Sequence, residues 1–349
     1  MKNDFAVATP RHALVGGSGE IIVHEFLPAA LVPGEVRVAI SFVGICGSDL
    51  HLIDAPDTHR LAREGAAIVP GHEQSGVIVE IGDGVTDLSV GDEVCVLPRT
   101  PCGRCRMCRV GSATRCTSFL RPRFGGWSTE MVIDQRLVER IPFGLALDMA
   151  ALSEPTACVL RAIDRASIRP GSSALIVGAG PMGLLLSCLL PRCGVSTVLV
   201  SEPSLERRRL AESFGAVVFD PRDSDLSSWV RSQTGGNGVD YVFEAVGSAS
   251  ALEDAIDATD VGGTVVVVGV ANPTARAQVS PHAIFAKELT IVGAWGVETT
   301  FTRAMGLLVK LDPRELITDR FSLGDVDAAI GLARRGAAGK VLLASGLDS

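Results

Sequence analysis

Between Pro170 and Pro191 this chain of 349 residues carries no charged side chain, a run long enough to cross a bilayer if it were one helix. Its interior forbids that. Gly171, Gly178, Gly180 and Gly183, together with Pro181, divide the run into a short apolar segment at 174–177, a glycine-rich turn and a second apolar segment at 184–190. Strand, tight loop and helix is the reading these residue types support, so no membrane span is expected. The loop reads Gly178-Ala-Gly180-Pro181-Met182-Gly183. In this context the first glycine can make the turn, the second can admit a pyrophosphate and the third can let the helix pack closely on the strand, so a dinucleotide is the expected ligand. Glu202 follows nineteen residues after Gly183, at the end of the next apolar run, where a carboxylate can accept hydrogen bonds from an adenosine ribose. An acid there would repel a 2′-phosphate, which predicts NAD rather than NADP.

The alternation continues. Apolar runs at 197–201, 217–219, 241–243, 264–269 and 289–293 alternate with helical stretches, giving six expected strands of a parallel, doubly wound sheet. The first 150 or so residues have a different texture, with short β-type runs at 36–42, 75–81 and 93–97 separated by Gly, Pro and Asp turns. At Ser153-Glu154-Pro155 a helix is expected, with the serine at its N-cap and proline in its first turn. The expected organisation is therefore a β-rich catalytic domain formed by 1–152 and 295–349, interrupted by a cofactor domain at 153–294. An amphipathic stretch at 302–310 and a last strand at 341–344 complete the first domain.

Charge excludes some partners. With 32 basic and 40 acidic residues the net charge is −8, which opposes general binding to nucleic acid or anionic membranes. Nine cysteines, with no apolar leader after Met1-Lys2-Asn3-Asp4-Phe5, fit a reducing, cytoplasmic compartment in which clustered thiols serve metals rather than disulfides.

Four of those cysteines, Cys102, Cys105, Cys108 and Cys116, fall within fifteen positions. Four thiolates can close a tetrahedral zinc shell, and a closed shell supports structure rather than chemistry. Seven arginines, among them Arg99 and Arg121, surround this lobe and are read as a solvated or subunit-facing surface. A second ligand set is dispersed: Cys46-Gly-Ser48-Asp49-Leu-His51, Gly71-His72-Glu73, and Glu154. Sulfur, imidazole and carboxylate from separate loops can supply three ligands and leave a fourth position open for water or an alcohol oxygen.

These motifs, with Val90-Gly-Asp-Glu-Val, Gly125-Gly126 and Glu154-Pro155, resemble the zinc-dependent medium-chain dehydrogenase/reductases, the alcohol dehydrogenase superfamily, from about Gly34 to Leu343. The resemblance implies a GroES-like catalytic domain and a Rossmann cofactor domain. It implies that Cys46 and His72 bind a catalytic zinc, with Glu73 or Glu154 as third ligand or as partner to a bound water. It further implies that Asp49 orients His72, that Ser48 and His51 form a proton relay, that Arg207 packs beside the adenosine, and that Val246 and Val268 lie along the cofactor. A glutamate followed by proline is similar to the polyol, threonine and butanediol dehydrogenase branch. The chain departs from the common pattern at Arg161 and Asp319, where many relatives carry histidine.

The expected activity is hydride transfer between NAD and the secondary alcohol of a small polar polyol, diol, sugar or aminocyclitol, giving the ketone. Biosynthetic ketone or aldehyde reduction and threonine-type amino-alcohol oxidation are the alternatives within the family, and a non-catalytic nucleotide sensor is the alternative outside it. Leu52, Phe119, Phe124 and Trp295 are candidate pocket walls. The family suggests a homodimer or homotetramer with two zinc ions per chain.

Overall fold

A computed structural model of the chain describes residues 9–297, 299–336 and 339–345. Residues 1–8, where a leader was sought, lie outside that range, as do 298, 337, 338 and 346–349. Two sheets dominate. One has six parallel strands in the order Val217–Phe219, Thr197–Ser201, Ser173–Val177, Val239–Glu244, Thr259–Val267 and Thr290–Gly293. Ser173–Val177 lies centrally, and Ala174, Leu175 and Ile176 are fully buried because helices cover both faces of the sheet. Helix Pro181–Leu189 follows it directly and buries Leu184, Leu185 and Leu186, each contributing about 1.5–3 kcal/mol. From the first strand the chain winds outward to one edge, then returns to wind toward the other. The crevice beyond the carboxyl ends of Ser173–Val177 and Val239–Glu244 is therefore the switch point where such sheets bind ligands.

The second sheet has seven strands. Ile317–Ser322, Lys340–Ala344, Glu35–Gly44, Gln74–Ile81, Glu93–Val96 and Val138–Arg140 follow in order, and Glu130–Asp134 also pairs with Glu35–Gly44. Lys340–Ala344 runs antiparallel to Glu35–Gly44, so the end of the chain is hydrogen-bonded to its beginning. Val36, Val38, Ile40 and Ile78 pack with Trp127 in the core of this unit.

Helix Ser153–Ala166 joins the two units, with Pro155 in its first turn. Ser153 is not its N-cap. The helix begins at Ser153 itself, Leu152 occupies the cap position without a side-chain bond, and the serine hydroxyl instead faces the Cys95 thiol at 3.6 Å. Burial explains the difference: Ser153 is 1% exposed, and its hydroxyl has a partner across the core. Helix Phe301–Leu311 packs on this joining helix, and Thr300 Oγ1 donates to Ala157 O at 2.7 Å. Among the described residues no helix is long and apolar enough to cross a membrane.

Candidate active site

Cys46 and the adjacent pair His72 and Glu73 lie at the two ends of the connection between Glu35–Gly44 and Gln74–Ile81, and their ligand atoms all lie within 4.8 Å of one another. Asp49 sets this arrangement. Its Oδ2 accepts from Cys46 N at 2.9 Å, and its Oδ1 accepts from Gly71 N at 3.0 Å and lies 3.2 Å from His72 Nδ1. One carboxylate, 2% exposed, therefore ties both ligand-bearing loops together and leaves His72 Nε2 facing the Cys46 side. Ser48 Oγ lies 3.3 Å from Cys46 Sγ and 3.5 Å from His72 Nε2. Burial works against charge on His72, but its hydrogen bonds with Asp49 and Cys46 and the charge of Glu154 outweigh that and hold its pKa well above the ordinary value. This is the electrostatic signature of a place that attracts a cation.

Glu73 is paired to a residue the sequence reading missed. Lys340 Nζ donates to Glu73 Oε1 at 2.7 Å and to Ile45 O at 3.2 Å, and the same ammonium lies 2.7 Å from Glu73 Oε2, which accepts no well-oriented hydrogen bond from the described residues. Glu154 lines the same cleft but falls outside the three-ligand spacing, and Cys158 Sγ lies 3.5 Å from its Oε1. Burial raises the Glu154 pKa; His72 opposes this and Glu73 adds to it. A thiol, an imidazole and a carboxylate at mutual ligand spacing fit zinc.

The cleft holding these groups has a volume of about 530 Å³. Its wall on the catalytic side includes Ser48 and His51, and its opposite wall includes Met182, Val246 and Val268. Among the described residues no direct hydrogen bond joins Ser48 to His51. Of the aromatic wall candidates, Trp295 lines the cleft and Phe119 packs beneath Arg99, one of its lining residues. Phe124 faces two neighbouring cavities instead, and Leu52 is partly exposed on helix Gly47–Asp54. Arg99 and Arg121 also line the cleft; Arg99 is 7% exposed, so for it the reading as solvated surface fails, whereas Arg121 is exposed. The clustering of basic residues was visible in the sequence, but nothing local to it distinguished inward from outward arginines.

At the cofactor loop, Gly178 has φ 94°, a left-handed conformation that disfavours any side chain. A Cβ on Gly183 would stand 1.9 Å from Gly178 O, whereas one on Gly180 would meet nothing within 4 Å. The turn and the close helix packing thus require glycine, and open space lies over Gly180 at the start of the Pro181 helix, where a pyrophosphate can approach. Glu202 Oε2 accepts from Ala179 N at 2.8 Å and Oε1 accepts from Ser204 N at 2.9 Å, while Arg207 Nη1 stands 3.9 Å from the carboxylate. The acid is positioned by the loop and retains lone pairs for a sugar hydroxyl.

The four lobe cysteines also lie within 4.8 Å of one another, with all nine cysteines unbridged. Backbone N–H groups of Cys102, Cys105 and Ser118 point at Cys116, Cys102 and Cys116 sulfurs respectively, at 3.3 to 3.4 Å. Such donors favour thiolates. The backbone bonds of Thr117 and Cys108 pull the Cys105 thiol down to about 5, while burial and the neighbouring thiols push Cys108 up to about 12. The donor set fits a closed zinc site.

Comparison with known proteins agrees with this geometry. The profile described as "Alcohol dehydrogenase GroES-like domain" matches residues 32–143, and that described as "Zinc-binding dehydrogenase" matches residues 181–310. The chain belongs to the zinc-dependent medium-chain alcohol dehydrogenase family. It is 32% identical to (R,R)-butanediol dehydrogenase of Bacillus subtilis, over 84% of this chain and 87% of that protein. It is 35% identical to L-threonine 3-dehydrogenase of Pyrococcus horikoshii, over 89% and 91% of the two chains. A zinc-binding dehydrogenase from Sinorhizobium meliloti, solved bound to NADP, superposes with a TM-score of 0.88 at 28% identity, covering 97% of this chain and 99% of that one. The protein is thus an oxidoreductase acting on CH–OH groups with zinc and a nicotinamide cofactor.

Proposed function

We propose that the protein oxidises the secondary alcohol of a small polar polyol, diol, sugar or aminocyclitol to the ketone, with NAD as hydride acceptor. The observation that carries this reading is the joint placement of Cys46, His72 and Glu73 in one cleft with Met182, Val246 and Val268. Cys46 and His72 hold the catalytic zinc. The third ligand is one of the two carboxylates beside them: Glu73, which has the spacing, or Glu154, whose raised pKa suits it equally to partner a bound water. When bound, zinc supplies Lewis-acid stabilisation of charge developing on the substrate oxygen, and the nicotinamide accepts the hydride.

The chain's own residues do the rest. Asp49 holds the His72 ring by its Nδ1 side, so that the opposite nitrogen is aimed inward. Ser48 stands where it can accept the alcohol proton, and exposed His51 on the same wall stands where it can pass a proton to solvent. Gly178, Gly180, Pro181, Met182 and Gly183 cradle the cofactor's phosphates and Glu202 its adenosine ribose, with Arg207 beside it. The acid supports NAD over NADP.

A second zinc in the Cys102, Cys105, Cys108 and Cys116 lobe maintains structure. Residues 1–152 with 295–349 act as the catalytic unit and 153–294 as the cofactor unit, and nine unbridged cysteines suit a cytoplasmic setting. Exposed Ile291 on the outermost strand of the six-stranded sheet suits assembly into a homodimer or homotetramer. The test is NAD reduction against polyols, diols, aminocyclitols and threonine, with zinc quantified in the same sample. Two zinc ions per chain and turnover of one of the alcohols support the reading; metal-loaded, cofactor-binding protein inert toward all of them overturns it.

A further inference from the structure

A pocket of about 320 Å³ lies at the amino ends of strands of the six-stranded sheet, the edge opposite the cofactor crevice. Its floor carries a row of hydroxyls. Tyr241, Thr264 and Thr290 pair in register across three adjacent parallel strands, which puts their side chains on one face of the sheet. Tyr241 Oη is engaged, accepting from Arg169 N at 3.2 Å and donating to Ser167 O at 3.3 Å. The hydroxyls of Thr264 and Thr290 have no hydrogen-bond partner among the described residues, and neither has Ser172 Oγ, which is shielded from solvent on the pocket wall. A hydroxyl taken out of water without a partner is unfavourable, so the position suits a polar occupant.

Two cations stand over this row. Arg165, in the last turn of helix Ser153–Ala166, and Arg169, just beyond its end, both line the pocket. Both are exposed, and neither side chain makes a hydrogen bond or ion pair among the described residues. Asp240 is the one acid among the described lining residues, and its Oδ2 is held by Ser173 N and Oγ, each at 2.7 Å. The carboxyl end of the helix adds about half a negative charge. Two guanidinium groups outweigh the acid and the helix end together, so the pocket is locally positive in a chain whose net charge is −8. Guanidinium forks and several free hydroxyls around one pocket suit the three terminal oxygens of a phosphoryl group better than the planar pair of a carboxylate. The volume also leaves room for a small organic body attached to that group.

We infer that this pocket is a phosphoryl-binding site, separate from the catalytic and cofactor sites, which takes free phosphate or a small phosphate monoester. Arg165 and Arg169 bind the phosphoryl oxygens. Ser172, Thr264 and Thr290 hydrogen-bond to the same oxygens or to hydroxyls on the body of an ester. No bond is made or broken in the ligand, and its binding does not compete with NAD.

The experiment is calorimetry on zinc-loaded protein saturated with NADH, so that the cofactor's own phosphate cradle is filled. Inorganic phosphate, glucose 6-phosphate and glucose are titrated separately into wild type, Arg165→Gln, Arg169→Gln and Arg169→Lys. A phosphorylated probe should saturate one site per chain, and glucose should give no heat that the variants alter. Either glutamine variant should weaken phosphoryl binding by about tenfold or more, the loss of one charge-assisted hydrogen bond, with partial recovery in Arg169→Lys. Circular dichroism and NADH affinity should be unchanged, because both arginines are exposed and lie at the far edge of the sheet from the glycine loop. Glucose 6-phosphate binding more tightly than inorganic phosphate supports the site with a monoester as its ligand, and the reverse order supports it with the free anion. No saturable binding by about 5 mM, binding that neither glutamine variant weakens, or binding that disappears when NADH is added overturns the inference.

Discussion

Lys340 Nζ and Glu73 Oε1 are 2.7 Å apart, with side chains only 3% and 1% exposed, although 267 positions separate them in the chain. Burial alone would strip the lysine of its proton; Glu73, with Cys46 and Glu154, holds it charged. The pair joins the last described strand to the catalytic loop. Replacing Lys340 by alanine leaves a buried carboxylate without its counter-charge, which is expected to cost about 3–5 kcal/mol. Denaturant unfolding of zinc-loaded wild type and Lys340→Ala checks this, and a loss under 1 kcal/mol would show that the carboxylate finds another cation, such as the metal itself.

The dispersed ligand set predicts selective metal loss. Cys46→Ala should lower bound zinc by one ion per chain and abolish alcohol oxidation, while the circular dichroism spectrum and cofactor binding are retained. Atomic absorption of the purified variant reads the count. Retention of both ions would mean that Cys46 is not a ligand.

Proton competition gives the catalytic metal a defined pH dependence. His72 has its pKa held well above the ordinary imidazole value, so in the metal-free protein the ring holds its proton more tightly than a free imidazole does. Zinc must displace that proton. Zinc uptake near pH 7 is therefore expected to release it, and zinc retention should decline as pH falls below the folded-state pKa of the ring. Asp49→Asn removes a contribution that raises this pKa, but it also frees the ring, so retention should weaken at every pH rather than shift in parallel. Uptake without proton release at neutral pH would contradict the protonated assignment.

In the cysteine lobe, Cys105 lies at about 5 and Cys108 at about 12, so the metal-free lobe holds a reactive thiolate at neutral pH. Iodoacetamide should label Cys105 before the other lobe cysteines once chelator has removed zinc. Labelling should fall away only below about pH 5, and zinc should protect the site. Peptide mass mapping follows the order, and faster labelling of Cys108 would reverse the assignment.

At the cofactor site, Glu202 accepts from Ala179 N and Ser204 N and so both shapes the glycine loop and faces the expected ribose. Glu202→Ala should raise KM for NAD about tenfold and narrow the preference over NADP, the loss of one charge-assisted hydrogen bond and of one repulsion. Steady-state kinetics with both cofactors decides it. Wild-type preference for NADP would overturn the acid rule for this chain.

Local chemistry accounts for what could be read from the sequence. Gly178, Gly180 and Gly183 act within one turn between a strand and its own helix, so their spacing alone carries their geometry. The four lobe cysteines are likewise close in sequence and close in space. Cys46, His72 and Glu73 were found because each sits in a short motif, although their convergence depends on how the two ends of the 45–73 connection fold together. The N-cap at Ser153 was misread because a cap signal is local, whereas the serine's partner is Cys95 on a distant strand.

By itself, then, the uncharged run from 170 to 191 determined a strand, a glycine loop and a helix, and the apolar runs alternating after it determined the parallel sheet. Tertiary structure alone decided that Lys340 neutralises Glu73, that Arg99 is sandwiched by Phe119 and Trp295 inside the cleft, and that Asp49 ties the Cys46 and His72 loops together. The physical reason is range. Backbone turns and closely spaced ligands depend on neighbours along the chain, while the charge state and orientation of a buried group depend on which distant segment is packed against it.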